Sequence, residues 1–71
     1  MDREQPRALI RILLAKSSGD IDRDDAALSL ANYEGSEVLE ALMQIVNDPD
    51  EDADLKETCW DAIYHIRVKT Q

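Results

Sequence analysis

Residues 22–50 read DRDDAALSLANYEGSEVLEALMQIVNDPD, and this stretch decides the fold class. Two segments with helical periodicity are separated by a short turn at residues 34–36. A loop at residues 47–50 follows, in which Pro49 prevents the second helix from continuing, and a third helical segment begins near Leu55. The order helix, turn, helix, loop, helix is typical of stacked helical repeats, which mostly bind other macromolecules.

Hydrophobic periodicity divides the whole chain into four predicted helices. Their expected ranges are residues 6–16, 23–33, 37–47 and 55–68. Glycine, proline and short polar side chains stand at the ends of these ranges, where they stop one helix or cap the next. The residues expected in those roles are Pro6, Gly19 in a left-handed conformation, Asp20 or Asp22, Gly35, Ser36, Pro49, and Asp54 with Glu57 as a capping box.

Each predicted helix carries an apolar stripe that marks the face packed into the core. No run of alternating β-branched residues predicts a strand, and phenylalanine is absent from the sequence. We therefore expect an all-α fold of four short antiparallel helices. In the first helix Leu9, Ile10, Ile12, Leu13 and Leu14 cover more than half of the circumference, so it packs on two sides, or on one side against its own chain and on the other against a partner. The core stripes expected in the other helices are Ala26, Leu30 and Tyr33; Val38, Leu42, Ile45 and Val46; and Leu55, Cys59, Ala62, Ile63 and Ile66.

Length and cysteine content limit what the chain can be. Its 71 residues suffice for one domain with a small core. The single cysteine allows no internal disulfide, which is typical of a reducing compartment. The N-terminus lacks the pattern of a signal peptide, and no apolar run is long enough to span a membrane. We expect a cytoplasmic protein.

Negative charge is concentrated in the middle of the chain. The net charge is −8, but residues 17–66 hold fourteen acidic side chains against two basic ones, a balance of −12. Such a field repels nucleic acid and anionic lipid and attracts a basic protein. Acidic helices also keep a small protein soluble without any partner. The charge predicts no nucleic-acid or membrane partner and is compatible with a basic protein partner.

The second to fourth predicted helices resemble HEAT-like helical repeats. The loop Asp48-Pro49-Asp50 matches the loop that opens a repeat in that family, and residues 38–42 match the second helix of a repeat. Residues 55–66 match the first helix of the next repeat, and residues 23–33 match the same helix one repeat earlier. The resemblance implies a single HEAT-like domain over residues 1–71, capped by its first helix, with protein binding as its function.

Few residues could support chemistry. Cys59 and His65 lie about 120° apart around a helix, so they cannot share a site unaided. The acidic loop that begins at Asp48 starts like an EF-hand, but Ala53 and Cys59 occupy the positions that require glycine and glutamate. Capping of the next helix explains these acids better. We expect no cofactor, no metal and no enzymatic activity.

Trp60 and Tyr64 are the strongest candidates for partner binding. They lie one turn apart, about 120–160° from the centre of the fourth core stripe, and Arg67 follows them. Tryptophan, tyrosine and arginine are enriched at interface hot spots. Two interpretations remain open: the aromatic pair forms an interface, or the first helix covers Trp60. The further candidates are Leu28, which also projects away from its core stripe, and the acids Asp50, Glu51 and Asp52.

Together these observations predict a non-enzymatic protein-binding module. A concrete version is an immunity protein or inhibitor that neutralises a basic toxin, commonly a nuclease, by masking its active surface. The alternative is a structural homo-oligomer, such as a homodimer, or a capping module of a larger helical-repeat assembly.

Overall fold

The computed structural model describes residues 5–70, and within them it contains four α-helices and no strand. These are α1 (Gln5–Leu14), α2 (Asp20–Leu30), α3 (Ser36–Val46) and α4 (Ala53–Thr70). The prediction of an all-α fold is therefore confirmed. Each helix has the apolar periodicity that identified it in the sequence, and each connection is short.

The helix boundaries differ from the expected ones at several ends. The helix α1 ends two residues early, at Leu14, and α4 extends beyond its expected range in both directions. The helix α2 begins at Asp20 and ends at Leu30, three residues earlier than expected at each end. Its end is early because the next three residues form turns, in which each backbone N–H bonds to the carbonyl three residues before it.

The helix caps correct three sequence-based assignments. Gly19 is not left-handed: its φ of −67° and ψ of 154° are extended, and it is the N-cap of α2, so Asp20 is already helical. Gly35, with a φ of +123°, is the N-cap of α3 in place of Ser36. Such a φ strongly favours glycine. Asp52 caps α4 in place of the predicted capping box, because its Oδ2 accepts the N–H groups of Asp54 and Leu55 at 3.1 and 3.4 Å.

The helices pack in the cyclic order α1, α2, α4, α3, and each contacts the next in this order. The consecutive helices α2 and α3 are not among the closely packed pairs. The helices α2 and α4 run side by side in the same direction. Residues near their first turns meet through Arg23 and Glu51, and residues near their last turns meet through Ala31 and Lys69.

The core consists of small and aliphatic side chains from all four helices. The whole predicted stripe of α4 is buried, which confirms that prediction. Among the described side chains of α1, Leu13 is fully buried, whereas Ile12 is 38% exposed. Tyr33 and Val46 are partly buried at the edge of the core. The buried apolar residues are Leu13, Ala26, Ala27, Leu30, Val38, Ala41, Leu42, Ile45, Leu55, Cys59, Ala62, Ile63 and Ile66.

Two charged side chains within residues 5–70, Arg23 and Glu51, are buried beside this core. Arg23 is 6% exposed, and its Nε donates to the carbonyl oxygen of Leu13 at 2.9 Å. Its Nη2 pairs with Oε2 of Glu51 at 2.5 Å. The carbonyl of Leu13 lies in the last turn of α1, where no helical partner is available. We call these three residues the Arg23 junction. It links the end of α1 to α2 and to the loop before α4.

Candidate functional site

Three apolar side chains form an exposed line along the outer side of α4. Trp60 is 51% exposed, Tyr64 70% and Val68 52%. They are spaced four residues apart, so at 100° per residue each lies only about 40° further around the helix than the last. We call Trp60, Tyr64 and Val68 the α4 ridge. The covering of Trp60 by α1 does not occur, because α1 packs on α2 and α3 instead.

A groove between α2 and α4 lies beside this ridge. It has a volume of about 450 Å³. Leu28 and Tyr64, which the sequence singled out on separate helices, both line it. Leu28 is 55% exposed. We call this depression the α2–α4 groove; its lining residues are Leu28, Ala31, Asn32, Asp61, Ala62, Tyr64 and His65.

Small side chains explain why a groove exists here. Ala62 is buried and Ala31 is partly buried against the core, so neither fills the space between Leu28 and Tyr64. At the C-terminal end, Nζ of Lys69 donates to the carbonyl oxygen of Ala31 at 2.9 Å. This carbonyl lies just beyond the end of α2, where a cation is favoured. The bond holds the last turns of α4 beside α2.

The acids of the loop before α4 have different surroundings. Asp50 is exposed, as predicted. Asp52 is also exposed, but one of its oxygens caps α4. Glu51 was predicted to belong to the partner-binding surface, and the structure places it elsewhere: its side chain is 5% exposed and is paired with Arg23. Its sequence neighbours gave no sign of this, because Arg23 lies 28 residues away.

The loop is also held by Asp48. Its Oδ1 accepts the N–H of Asp50 at 2.9 Å, and its Oδ2 pairs with Nζ of Lys16 at 3.0 Å. The hydrogen bond from Asp50 and then the bond from Lys16 lower the pKa of the Asp48 carboxyl below its ordinary value. The bond to Asp48 in turn raises the pKa of Lys16. The acidic loop is therefore partly a structural element of the fold.

A second depression lies where α2 and α4 begin, with a volume of about 250 Å³. Four carboxylates line it, from Asp20, Asp24, Asp52 and Asp54. Asp20 and Asp54 lie in the first turns of α2 and α4, and Asp52 caps α4; the helix dipole favours acids at these positions. In the described part of the chain, no group of three or more histidine, cysteine or acidic residues is arranged to hold a metal ion.

The two side chains that could react, Cys59 and His65, lie in different environments and do not share a site. Cys59 is fully buried, and burial raises the pKa of its thiol to about 12, so it remains protonated at neutral pH. His65 is exposed and lines the α2–α4 groove. Arg67 lies on the exposed surface of α4, one turn after Tyr64.

None of the helices within residues 5–70 has the length and apolar character needed to cross a bilayer.

The sequence analysis missed part of this surface. Val68 continues the spacing of Trp60 and Tyr64, and that spacing could have identified it. Asp61 and Ala31 belong to the groove only because α2 and α4 are neighbours, which no local pattern indicates.

No family model, curated protein or solved structure matches the chain.

Proposed function

We propose that this protein is a non-enzymatic protein-binding module whose partner is a basic protein. The observation that carries the proposal is the α4 ridge, in which two large aromatic side chains remain half or more exposed beside a groove. A small folded domain usually buries its aromatic residues, and tryptophan and tyrosine supply much of the energy at interfaces. Together with Leu28, these exposed aromatic side chains form an apolar surface that suits a protein partner.

Charge supports a basic partner. The balance of −12 over residues 17–66 is unchanged by the internal pairing of Glu51 with Arg23, because both charges are already counted in it. Exposed negative charges increase the rate of association with a positively charged protein. Added salt screens these charges and reduces that increase. Ridge and charge thus have separate roles: the ridge provides contact area, and the acids provide steering.

The most concrete form of the proposal is a cytoplasmic immunity protein or inhibitor with a HEAT-like fold. The consecutive helices that pack closely are α1 with α2 and α3 with α4, so α2 and α4 are the second helices of two hairpins. Their parallel direction supports a repeat, because equivalent helices of successive repeats lie side by side in the same direction. An inhibitor of this type masks the active surface of a basic toxin and needs no catalytic residue of its own.

Affinity capture from the native host, with the tagged protein as bait, tests the proposal. We expect a basic protein to be retained by the parent and lost with Trp60→Ser. Ile21→Ser is the matched control, because Ile21 is 79% exposed and lies away from the ridge. Growth of cells that express the captured protein, with and without this chain, then tests the inhibitor. Equal capture by parent and Trp60→Ser contradicts the binding role of the ridge.

The alternative, a homo-oligomer, uses the same exposed ridge and predicts the opposite response to salt. Two copies with a net charge of −8 each repel one another, so added salt strengthens self-association. Added salt weakens association with a basic partner. Sedimentation equilibrium of the protein alone at low and high salt separates the two functions: a dimer that tightens with salt favours the oligomer.

A further inference from the structure

We propose that the α2–α4 groove is the docking site for one amphipathic, basic helix of the partner, with an aliphatic side chain seated over Ala31 and Ala62. This inference rests on the proposed function and names the element that the surface recognises. Its geometric basis is the pair of alanines, which leave a depression between Leu28 and Tyr64. Its walls, Leu28 and Tyr64, are 55% and 70% exposed, so the groove is open and can receive a side chain of a macromolecule.

The spacing of the ridge favours a helix as the bound element. Trp60, Tyr64 and Val68 rise along α4 in steps of four residues, or about 6 Å each. An amphipathic helix presents its apolar side chains at the same spacing, and recognition of such helices in grooves between helices is a recurring binding mode. A partner helix that lies along the groove can therefore place side chains from its successive turns against Tyr64.

Charge complementarity favours a basic helix. Asp61 is the one acid among the seven lining residues, and no lysine or arginine is among them. Glu57 lies one turn before Asp61 on the same exposed side of α4. A helix whose apolar stripe enters the groove brings its flanking residues toward these carboxylates. Lysine or arginine in those flanks is attracted, and aspartate or glutamate is repelled.

The same charges disfavour a second copy of this chain as the occupant. The groove of each copy contains Asp61 and no lysine or arginine, so two grooves that face one another offer no opposite charge. The total charge of −8 on each copy adds to this repulsion. We therefore assign the groove to a different protein with a basic helix.

The test uses a synthetic peptide of about four helical turns, with leucine along one face and lysine elsewhere. Two control peptides are a scrambled peptide of the same composition and an amphipathic peptide with glutamate in place of lysine. Trp60, the single tryptophan of the chain, reports binding through its fluorescence, and amide chemical shifts locate the contact. We expect the leucine–lysine peptide to bind tighter than both controls and to shift residues 28–32 and 60–65.

Two pairs of variants test the location. Ala31→Leu fills the groove and should weaken peptide binding about tenfold or more, whereas Ala8→Leu, on the exposed side of α1, should not. Asp61→Lys and Asp25→Lys change the net charge equally, yet only the first lies in the groove, so only the first should weaken binding strongly. Leu28→Ser, which removes one wall, provides a second test if Ala31→Leu melts at a lower temperature than the parent.

The outcomes separate this inference from the proposed function. Equal binding of the scrambled and amphipathic peptides, or equal effects of Asp61→Lys and Asp25→Lys, overturns the groove and leaves only diffuse charge attraction. A self-associated protein whose groove amides are already protected also overturns it. If these results occur while Trp60→Ser still abolishes capture of a basic protein, the binding function stands and the helix assignment fails. If capture is unaffected as well, both fail.

Discussion

The Arg23 junction and the α4 ridge reverse the usual placement of charged and aromatic residues. Arg23 is 6% exposed and its ion pair with Glu51 is enclosed by three parts of the chain, whereas Trp60 and Tyr64 are 51% and 70% exposed. The core between them consists of alanine, leucine, isoleucine, valine and cysteine. The fold therefore buries one arginine and leaves its single tryptophan half exposed. We infer that the aromatic residues of α4 are available for function.

The largest expected effect comes from breaking the Arg23 junction. Arg23→Met leaves the Glu51 carboxylate buried without its partner, and removal of one member of a buried pair costs about 3–5 kcal/mol. Domains of this size have only several kcal/mol of stability, so the variant should be partly unfolded at 25 °C. Urea denaturation measures the loss.

The double variant Arg23→Met with Glu51→Leu is the matched control. Replacement of both members of a buried pair by apolar groups is often close to neutral, so most of the stability should return. A double variant as unstable as Arg23→Met alone contradicts the ion pair as the cause and points to the hydrogen bond with the Leu13 carbonyl instead.

Truncations in the core and on the α4 ridge test the other half of the comparison. Ile66→Ala and Leu42→Ala each remove a fully buried side chain and should destabilise the fold by about 2–5 kcal/mol. Trp60→Ala, which removes a half-exposed side chain, should cost less than either core truncation, about 1 kcal/mol. Melting temperatures of the three variants decide this, and a Trp60→Ala loss as large as that of Ile66→Ala assigns the ridge to the core.

A smaller effect is expected at Asp52, which the sequence suggested as a binding residue and the structure shows as the cap of α4. Asp52→Ala removes the side-chain acceptor for two N–H groups and should cost about 1 kcal/mol. Asp50→Ala removes the same charge from the same loop without removing a cap. Equal urea midpoints for the two variants contradict the capping role.

The smallest effect concerns pH and Asp48. Its pKa in the folded protein is below the ordinary value of 3.8, so its stabilising contribution is present above that value and is lost as the pH falls through the folded pKa. In Asp48→Asn, stability should therefore depend less on pH in this acidic range than in the parent. Parallel melting curves of both proteins over that range check the prediction, and identical pH profiles contradict it.

The sequence predicted the buried side of each helix better than it predicted the loops. Every residue predicted for the α4 stripe is buried, because these residues repeat at helical spacing and that signal lies within one helix. The start of α2 was misplaced because Gly19 adopts an extended conformation, whereas glycine after a helix suggested a left-handed one. The exposure of Trp60 followed from its angle to the core stripe, but whether α1 covered it could not be decided from α4 alone.

Local sequence by itself determined the four helices, their apolar faces and the strong negative charge, because periodicity and charge do not depend on distant residues. Only the tertiary structure decided that Glu51 is buried and Asp50 is not, since the difference depends on Arg23, 28 residues before Glu51. It also decided that Leu28 and Tyr64 share a groove, because α2 and α4 lie side by side with two alanines between them. The physical reason in both cases is packing between separate helices.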